Sequence, residues 1–295
     1  MTILMDTLIY LNFVTLIISL PGNIFIIVVN SLDFFKNRRL QLNDQLIFGL
    51  SVSSLMQGLL KGLLQSQYLF PFISKETHKI ATQIAIYFNL CTLWFSTLLI
   101  IHFCLKIVNI NHWFYIFLQR TFPKLSTGII ITFLLGCFFI NLHAALEINQ
   151  ECLLNTTSKN SYVKESPRCS WSSLIFKTIC VLGALLCLVS ALIIIISLFK
   201  HMNKMKENTQ GSRCANMDAH INAMKIVTTL LAANILIFIS MFILAFIEKK
   251  WLFLFGVLIS ICHIFSSCLL IKGTKKLNKI LVNILNQFSC FQSQN

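Results

Sequence analysis

A set of side chains able to contact a small ligand recurs at helical spacing within one long apolar run. Ala85, Phe88, Asn89 and Thr92 stand at positions i, i+3, i+4 and i+7, which places them on one face of a helix. The amide of Asn89 both donates and accepts hydrogen bonds, so it can orient a ligand against an otherwise apolar wall. The same amide can instead be satisfied by a neighbouring helix, and the spacing leaves both interpretations open.

Catalysis and metal binding have little support in the sequence. It contains no H-E-x-x-H, G-x-S-x-G or G-x-x-x-x-G-K-[ST] motif and no pair of acidic residues inside an apolar run. The 11 cysteines form no C-x-x-C pair and no metal-ligand spacing, so most are interpreted as packing residues. Cys152 and Cys169 share one polar segment and are either a disulfide pair or two free thiols. We therefore expect no enzyme activity, no cofactor and no metal site.

Long apolar runs must position these side chains. Of the 295 residues, 56% are hydrophobic and only 12% are charged, too few charges for the surface of a soluble protein of this size. Apolar runs of about 20 residues recur along the chain, each long enough to cross a bilayer as a helix. Seven spans are predicted, at residues 8–30, 46–70, 80–108, 125–146, 174–198, 226–247 and 251–271. The expected fold is all-α, a seven-transmembrane-helix bundle that forms a single membrane domain over residues 1–295. The first span is expected to be retained rather than cleaved as a signal peptide.

The basic residues predict how this bundle is oriented. Fifteen of the 24 Lys and Arg residues fall on one face and nine on the other, which favours the first face as cytoplasmic and places the N-terminus outside. Asn155 opens an N-x-T glycosylation sequon in the longest outer connection. In this orientation residues 147–173 are extracellular loop 2, residues 199–224 are cytoplasmic loop 3, and residues 273–295 are a cytoplasmic tail.

Positive charge gathers at the predicted inner ends of the helices. The net charge of +14 fits cytoplasmic loops that face anionic lipid, and we do not infer nucleic-acid binding from it. From the residues alone, the basic side chains at the inner ends of the fifth and sixth spans form a solvated rim; they are His201, Lys204, His220 and Lys225. Lys61 is the one basic residue well inside a span, and we expect it near the outer end with its ammonium directed to the interface.

Five segments carry a specific combination of motifs. "SLFKHMNKM" (197–205) fits S-L-x-x-H-x-x-x-M, and "HINAMKIVTTLL" (220–231) is similar to H-x-x-A-x-K-x-x-x-S-F-L. "GNIFIIVVNSLDFFKNRRLQLND" (22–44), "LKIVNIN" (105–111) and "GTKKLNK" (273–279) stand at the ends of the first, third and seventh spans. Together these segments resemble the bitter taste receptors, the taste receptor type 2 family, over nearly the whole chain.

The resemblance implies a G-protein-coupled receptor of the plasma membrane. Small bitter molecules would bind in the outer half of the bundle, and a heterotrimeric G protein of the gustducin or inhibitory class would bind on the cytoplasmic side. The implied ligand contacts are Ala85, Phe88, Asn89, Thr92, Ile237 and Gly256. The implied residues of the inner network or the G-protein contact are Lys106, His201, Lys204, His220 and Lys225. The alternatives are a vomeronasal type 1-like chemoreceptor and, from another class, a small-solute transporter or channel.

The chain departs from the family pattern at several of these positions. Ser54 stands where the family usually has Arg, and Ser266 where it usually has His. Ala85 replaces a Trp and Ile237 replaces a Tyr, so the pocket should be wider and less aromatic. We therefore expect a divergent member whose agonists are mostly apolar and fairly bulky, without strong charge.

Overall fold

The computed structural model describes residues 2–69, 74–108, 113–157, 171–208, 215–243 and 249–292. These residues are organised almost entirely as helices, and they contain no strand. The helices are α1 (Thr2–Asn37), α2 (Leu42–Leu69), α3 (Lys75–Ile107), α4 (Trp113–Thr157), α5 (Trp171–Asn208), α6 (Ala215–Ile243), α7 (Lys249–Gly273) and α8 (Lys275–Gln292).

Seven of the described helices form the membrane bundle, and α8 follows it. The helices α1 to α5 and α7 each carry an apolar stretch long enough to cross a membrane, and the described apolar stretch of α6, Met224–Ile239, is shorter. α8 differs from them because its apolar residues gather on one face, as in a helix that lies along a membrane surface. The all-α, seven-helix bundle predicted from the sequence is confirmed.

The central position in the bundle belongs to α3. It packs against α2, α4, α5 and α6, while α1 and α7 contact each other and close the ring. The odd-numbered helices of the bundle begin at one end, here called the N-terminal face, and finish at the other, the C-terminal face. Large apolar side chains point outward from α4 and α5, for example Phe139, which is 62% exposed, and Ile196, which is 65% exposed. Such surfaces are stable only against lipid.

Local hydrogen bonds define several helix ends. α1 stops at Arg38, whose positive φ of 56° turns the chain while its amide donates to the Phe34 carbonyl at 2.8 Å. Ser74 caps α3, because its Oγ accepts from the amide of Thr77 at 3.1 Å. At the other end of α3, the Tyr115 hydroxyl donates to the Cys104 carbonyl at 2.7 Å and satisfies a backbone acceptor of the last turn.

Helices extend into three segments that the sequence analysis treated as loops or tail. Residues 147–157 continue α4, residues 199–208 continue α5, and residues 215–224 begin α6. Most of the predicted tail from residue 273 onward is α8. Residues 158–170, which complete the predicted extracellular loop 2, lie outside the described residues.

Glycines allow the closest contacts between helices. A Cβ added to Gly49 of α2 would collide with the aromatic ring of Phe95 in α3, and one added to Gly183 of α5 would lie 2.7 Å from Leu93 Cδ2. Both contacts converge on α3, which explains how the bundle brings three helices within a short distance of its centre.

Candidate ligand site and polar junctions

A narrow polar cavity lies between α1, α2 and α7 in the half of the bundle nearer the N-terminal face. Its volume is about 20 Å³, enough for about one water molecule. Polar side chains dominate its wall, and small residues complete it. The lining residues are Asn12, Leu16, Ser19, Ser54, Gln57, Gly58, Lys61, Gly62, Gln65, Ser260 and His263.

Two hydrogen bonds hold the wall of this cavity together. Ser54 Oγ lies 3.4 Å from His263 Nδ1 and links α2 to α7. Gln57 Nε2 donates to Asn89 Oδ1 and links α2 to α3. His263 Nε2 and Gln57 Oε1 are buried and have no hydrogen-bond partner in the described structure. Buried polar atoms without a protein partner normally form hydrogen bonds with water or a ligand. These two atoms can therefore bind a small polar group in the cavity.

The predicted face of α3 packs mainly against other helices. Ala85 is buried and Thr92 is only 1% exposed, with its hydroxyl donating to the Phe88 carbonyl at 2.8 Å. Phe88 is partly exposed and meets Tyr87 edge to face, with ring centroids 5.2 Å apart. Asn89 contacts the cavity only through Gln57. The structure therefore shows the interhelical hydrogen bond that the sequence analysis had left open for Asn89.

The two ligand contacts that the resemblance implied on α6 and α7 do not form an open pocket with the predicted face of α3. Ile237 is completely buried in an apolar cluster with Leu90, Leu93 and Trp94 of α3. Gly256 faces α1, since a Cβ built on it would lie 3.2 Å from Asn12 Oδ1. Gly256 is thus next to the α1–α2–α7 cavity, whereas Ile237 is sealed away from it.

A buried group of polar side chains, here called the Ser96–Asn234 node, joins α3, α5 and α6. It lies about one helical turn from Ile237, toward the C-terminal face. Ser96 Oγ of α3 donates to Asn234 Oδ1 of α6 at 2.5 Å, and Asn234 Nδ2 lies 3.1 Å from Cys187 Sγ of α5. Both Ser96 and Asn234 are 2% exposed. This node was not predicted from the sequence, although an Asn inside an apolar helix signals that a neighbouring group must satisfy its amide.

A second junction, centred on Lys276, lies at the C-terminal face. The Lys276 ammonium donates to Asp33 Oδ2 at 2.7 Å, to Asn30 Oδ1 at 3.1 Å and to Asp44 Oδ2 at 3.2 Å. It therefore ties the start of α8 to the end of α1 and the start of α2. We call these four residues the Lys276 junction. The junction was not predicted from the sequence, because all three partners are more than 200 positions from Lys276 along the chain.

The residues predicted for the inner network whose side chains are described do not take part in the Lys276 junction. Lys106 is exposed in the last turn of α3, and Lys225 is exposed in α6. The side chains of His201, Lys204 and His220 lie outside the described part of the structure. The same holds for the side chains of Cys152 and Asn155 in α4, and Cys169 falls in an undescribed segment.

Comparison with known proteins identifies the family. The family model described as "Taste receptor protein (TAS2R)" matches residues 1–289. Taste receptor type 2 member 105 of Rattus norvegicus is 31% identical, over 90% of this chain and 88% of its own. The same-numbered member of Mus musculus is 28% identical over 92% and 93%, and mouse member 114 is 26% identical over 94% and 92%.

These matches span the whole helical bundle, and they agree with the resemblance found in the motifs at the helix ends. A family of taste receptors is a family of G-protein-coupled receptors and not of enzymes. The chain belongs to the taste receptor type 2 family, and it is a multi-pass membrane receptor of the bitter-taste class.

Proposed function

We propose that this receptor detects small, mostly apolar bitter-type molecules from outside the cell and activates a heterotrimeric G protein of the gustducin or inhibitory class inside it. The observation that carries the proposal is the family match over residues 1–289 together with a seven-helix bundle. The proposal places the receptor in the plasma membrane, with its N-terminal face outside. The excess of basic residues on the opposite face supports that orientation.

The agonist would bind in the half of the bundle nearer the N-terminal face, next to the α1–α2–α7 cavity. Support comes from the polar wall of that cavity and from Gln57, which has a free acceptor and also holds Asn89. Asn89 would then act on the agonist directly or by positioning Gln57. Ala85 and Phe88 would supply the adjoining apolar surface, and Gly256 would let α1 approach closely. Ile237 would support the site by packing.

The G protein would bind at the C-terminal face, where a receptor of this type opens a cleft between helices. The extensions of α5 and α6 contain His201, Lys204, His220 and Lys225, which would contact the G protein. Lys106 lies there too, at the exposed end of α3. The Ser96–Asn234 node connects α3 to α6 midway, so a shift of α6 that opens the cleft must rearrange it.

The extracellular sequon at Asn155 would carry a glycan.

Calcium imaging in cells that express the full receptor with a promiscuous G protein tests this function. A panel of bitter compounds should contain agonists whose responses need the G protein and occur without flux of the compound. Asn89→Ala should raise the half-maximal concentration about tenfold or more, since it removes a partly buried hydrogen-bonding group and leaves Gln57 Nε2 unpaired.

Asn278→Ala is the matched control, because Asn278 is exposed on α8 far from the cavity. Unchanged potency of every active compound on Asn89→Ala would remove Asn89 from the site. Uptake of the compound without a G-protein signal would instead support the transporter alternative.

A further inference from the structure

Lys61 brings a positive charge into the wall of the cavity. Lys61, which we expected near the outer end of its span, is partly exposed and lines the space between α1, α2 and α7. Along the helix axis it lies about 12 Å from the end of α2 at Leu69. A lysine ammonium at this depth is costly unless an anion, a dipole or water compensates it.

The described structure offers no carboxylate to that ammonium. Both described ion pairs belong to Lys276 at the opposite end of the bundle, and the residues that line the cavity include neither Asp nor Glu. The nearby polar groups are amides, hydroxyls and one imidazole. Ser19 and Ser260 donate their hydroxyl hydrogens to carbonyls of their own helices, so they do not bring a free donor or a negative charge.

His263 adds to the preference for a negative group. When the Ser54 hydroxyl donates to His263 Nδ1, the neutral imidazole carries its hydrogen on Nε2. That atom is buried beside the cavity without a described partner. In that tautomer a cation and an unused N–H donor lie in one wall. Gln57 Oε1 is an unused acceptor in the same wall, and a water or a hydroxyl of the ligand can donate to it.

We propose that this cavity binds the carboxylate head group of an amphipathic agonist, with Lys61 as its counter-charge. The inference rests on the proposed receptor function and changes its substrate class, from uncharged apolar molecules to mostly apolar molecules with one acidic group. A cavity of about 20 Å³ has room for about one water molecule, so one carboxylate oxygen can take that place while a bulky body stays outside. The apolar body of the agonist would extend from the cavity toward the N-terminal face.

Matched acids and esters test the proposal. 3-Phenylpropanoate and three longer or substituted aryl-alkanoates would be compared with their methyl esters in the calcium assay on the full receptor. The acids should be about tenfold or more potent than the esters on the wild type, because a charge-assisted hydrogen bond is stronger than a neutral one. Lys61→Met removes the charge with a side chain only one atom shorter, and it should erase this ratio while the ester response persists. Lys61→Arg should keep the ratio.

A binding measurement separates this inference from the proposed signalling. The purified receptor in lipid nanodiscs should be stabilised against heat by 3-phenylpropanoate more than by its methyl ester, and Lys61→Met should abolish the difference. Lys124→Met, which removes an exposed charge from α4, should preserve it. An equal acid-to-ester ratio in the wild type, or a ratio that survives Lys61→Met, overturns the head-group site even if the esters signal. Selective stabilisation through Lys61 without any signal supports the site and contradicts the proposed receptor function.

Discussion

Replacing Lys276 with Met should destabilise the receptor through the two carboxylates that it leaves behind. Asp33 Oδ2 and Asp44 Oδ2 lie 2.7 Å and 3.2 Å from the same nitrogen atom, so they are at most about 6 Å from each other. Two unit charges at that distance repel by about 3 kcal/mol at an effective dielectric constant of 20 and by less than about 1 kcal/mol in water.

The exposure of the junction decides between these limits. The side chains of Lys276, Asp33 and Asp44 are 28%, 24% and 12% exposed, so solvent screens the charges only in part. Exposed pairs are worth about 1 kcal/mol or less, whereas loss of one partner from a buried pair costs about 3–5 kcal/mol. We therefore expect Lys276→Met to lower the free energy of unfolding by about 2 kcal/mol. Combining it with Asp44→Asn should restore at least half of the loss, because the repulsion disappears.

The buried thiols provide the assay. Cys91, Cys104, Cys137, Cys180 and Cys187 are all buried and form no disulfide in the described structure, so a thiol-reactive dye reports unfolding of the purified receptor on heating. At about 2–4 °C per kcal/mol, Lys276→Met should lower the apparent melting temperature by about 4–8 °C. Lys279→Met removes an exposed charge from the same helix and should change nothing measurable. A melting temperature of Lys276→Met equal to that of Lys279→Met, or no recovery with Asp44→Asn, would refute the reasoning.

Two further predictions concern packing and orientation. Gly49→Ala should lower the melting temperature and the amount of receptor at the cell surface, because its methyl group collides with the Phe95 ring, whereas Gly128→Ala, with no atom within 4 Å of the new Cβ, should be neutral. Equal effects of the two substitutions would contradict the close contact of α2 with α3. A tag inserted at Gly211 should bind antibody only after permeabilisation, and Asn155→Gln should abolish a glycosidase-sensitive shift in electrophoretic mobility. Staining of intact cells at Gly211 would reverse the proposed orientation.

The existence of the helices could be predicted because each depends on a local property of the chain. A run of about 20 apolar residues has no stable alternative to a membrane-spanning helix. The lengths of α4 and α5 could not be predicted in this way. Their extensions through residues 147–157 and 199–208 are polar, so hydropathy marks them as loops although their backbone is helical.

The candidate site was only partly predictable, because sequence periodicity gives a face of a helix and not the neighbour of that face. The spacing from Ala85 to Thr92 correctly grouped residues of one helix, but it did not show that Asn89 would meet Gln57. The rotation of α3 relative to α2 depends on contacts such as Gly49 with Phe95. The prediction that Ile237 contacts the ligand came from its place in the family pattern, which also says nothing about its neighbours. Those neighbours, on α3 and α5, fill the space around it.

The positions of the polar residues explain how the chain can differ from its family and keep a polar centre. Where the family pattern has Arg in the second helix and His in the seventh, this chain has Ser54 and Ser266. Its own cation and imidazole are Lys61, about two turns along α2, and His263, about one turn back along α7. Because α2 and α7 run in opposite directions, both displacements move the polar groups toward the N-terminal face. There the charge lines a cavity, and His263 keeps a contact with Ser54, one of the two family positions. At the C-terminal face, Lys276 ties helices together through its two carboxylate partners. In this arrangement Lys61, whose charge has no described partner, is assigned to ligand recognition. Lys276, whose charge is paired, is assigned to stability. It requires that Lys61→Met change ligand selectivity without the thermal cost expected of Lys276→Met.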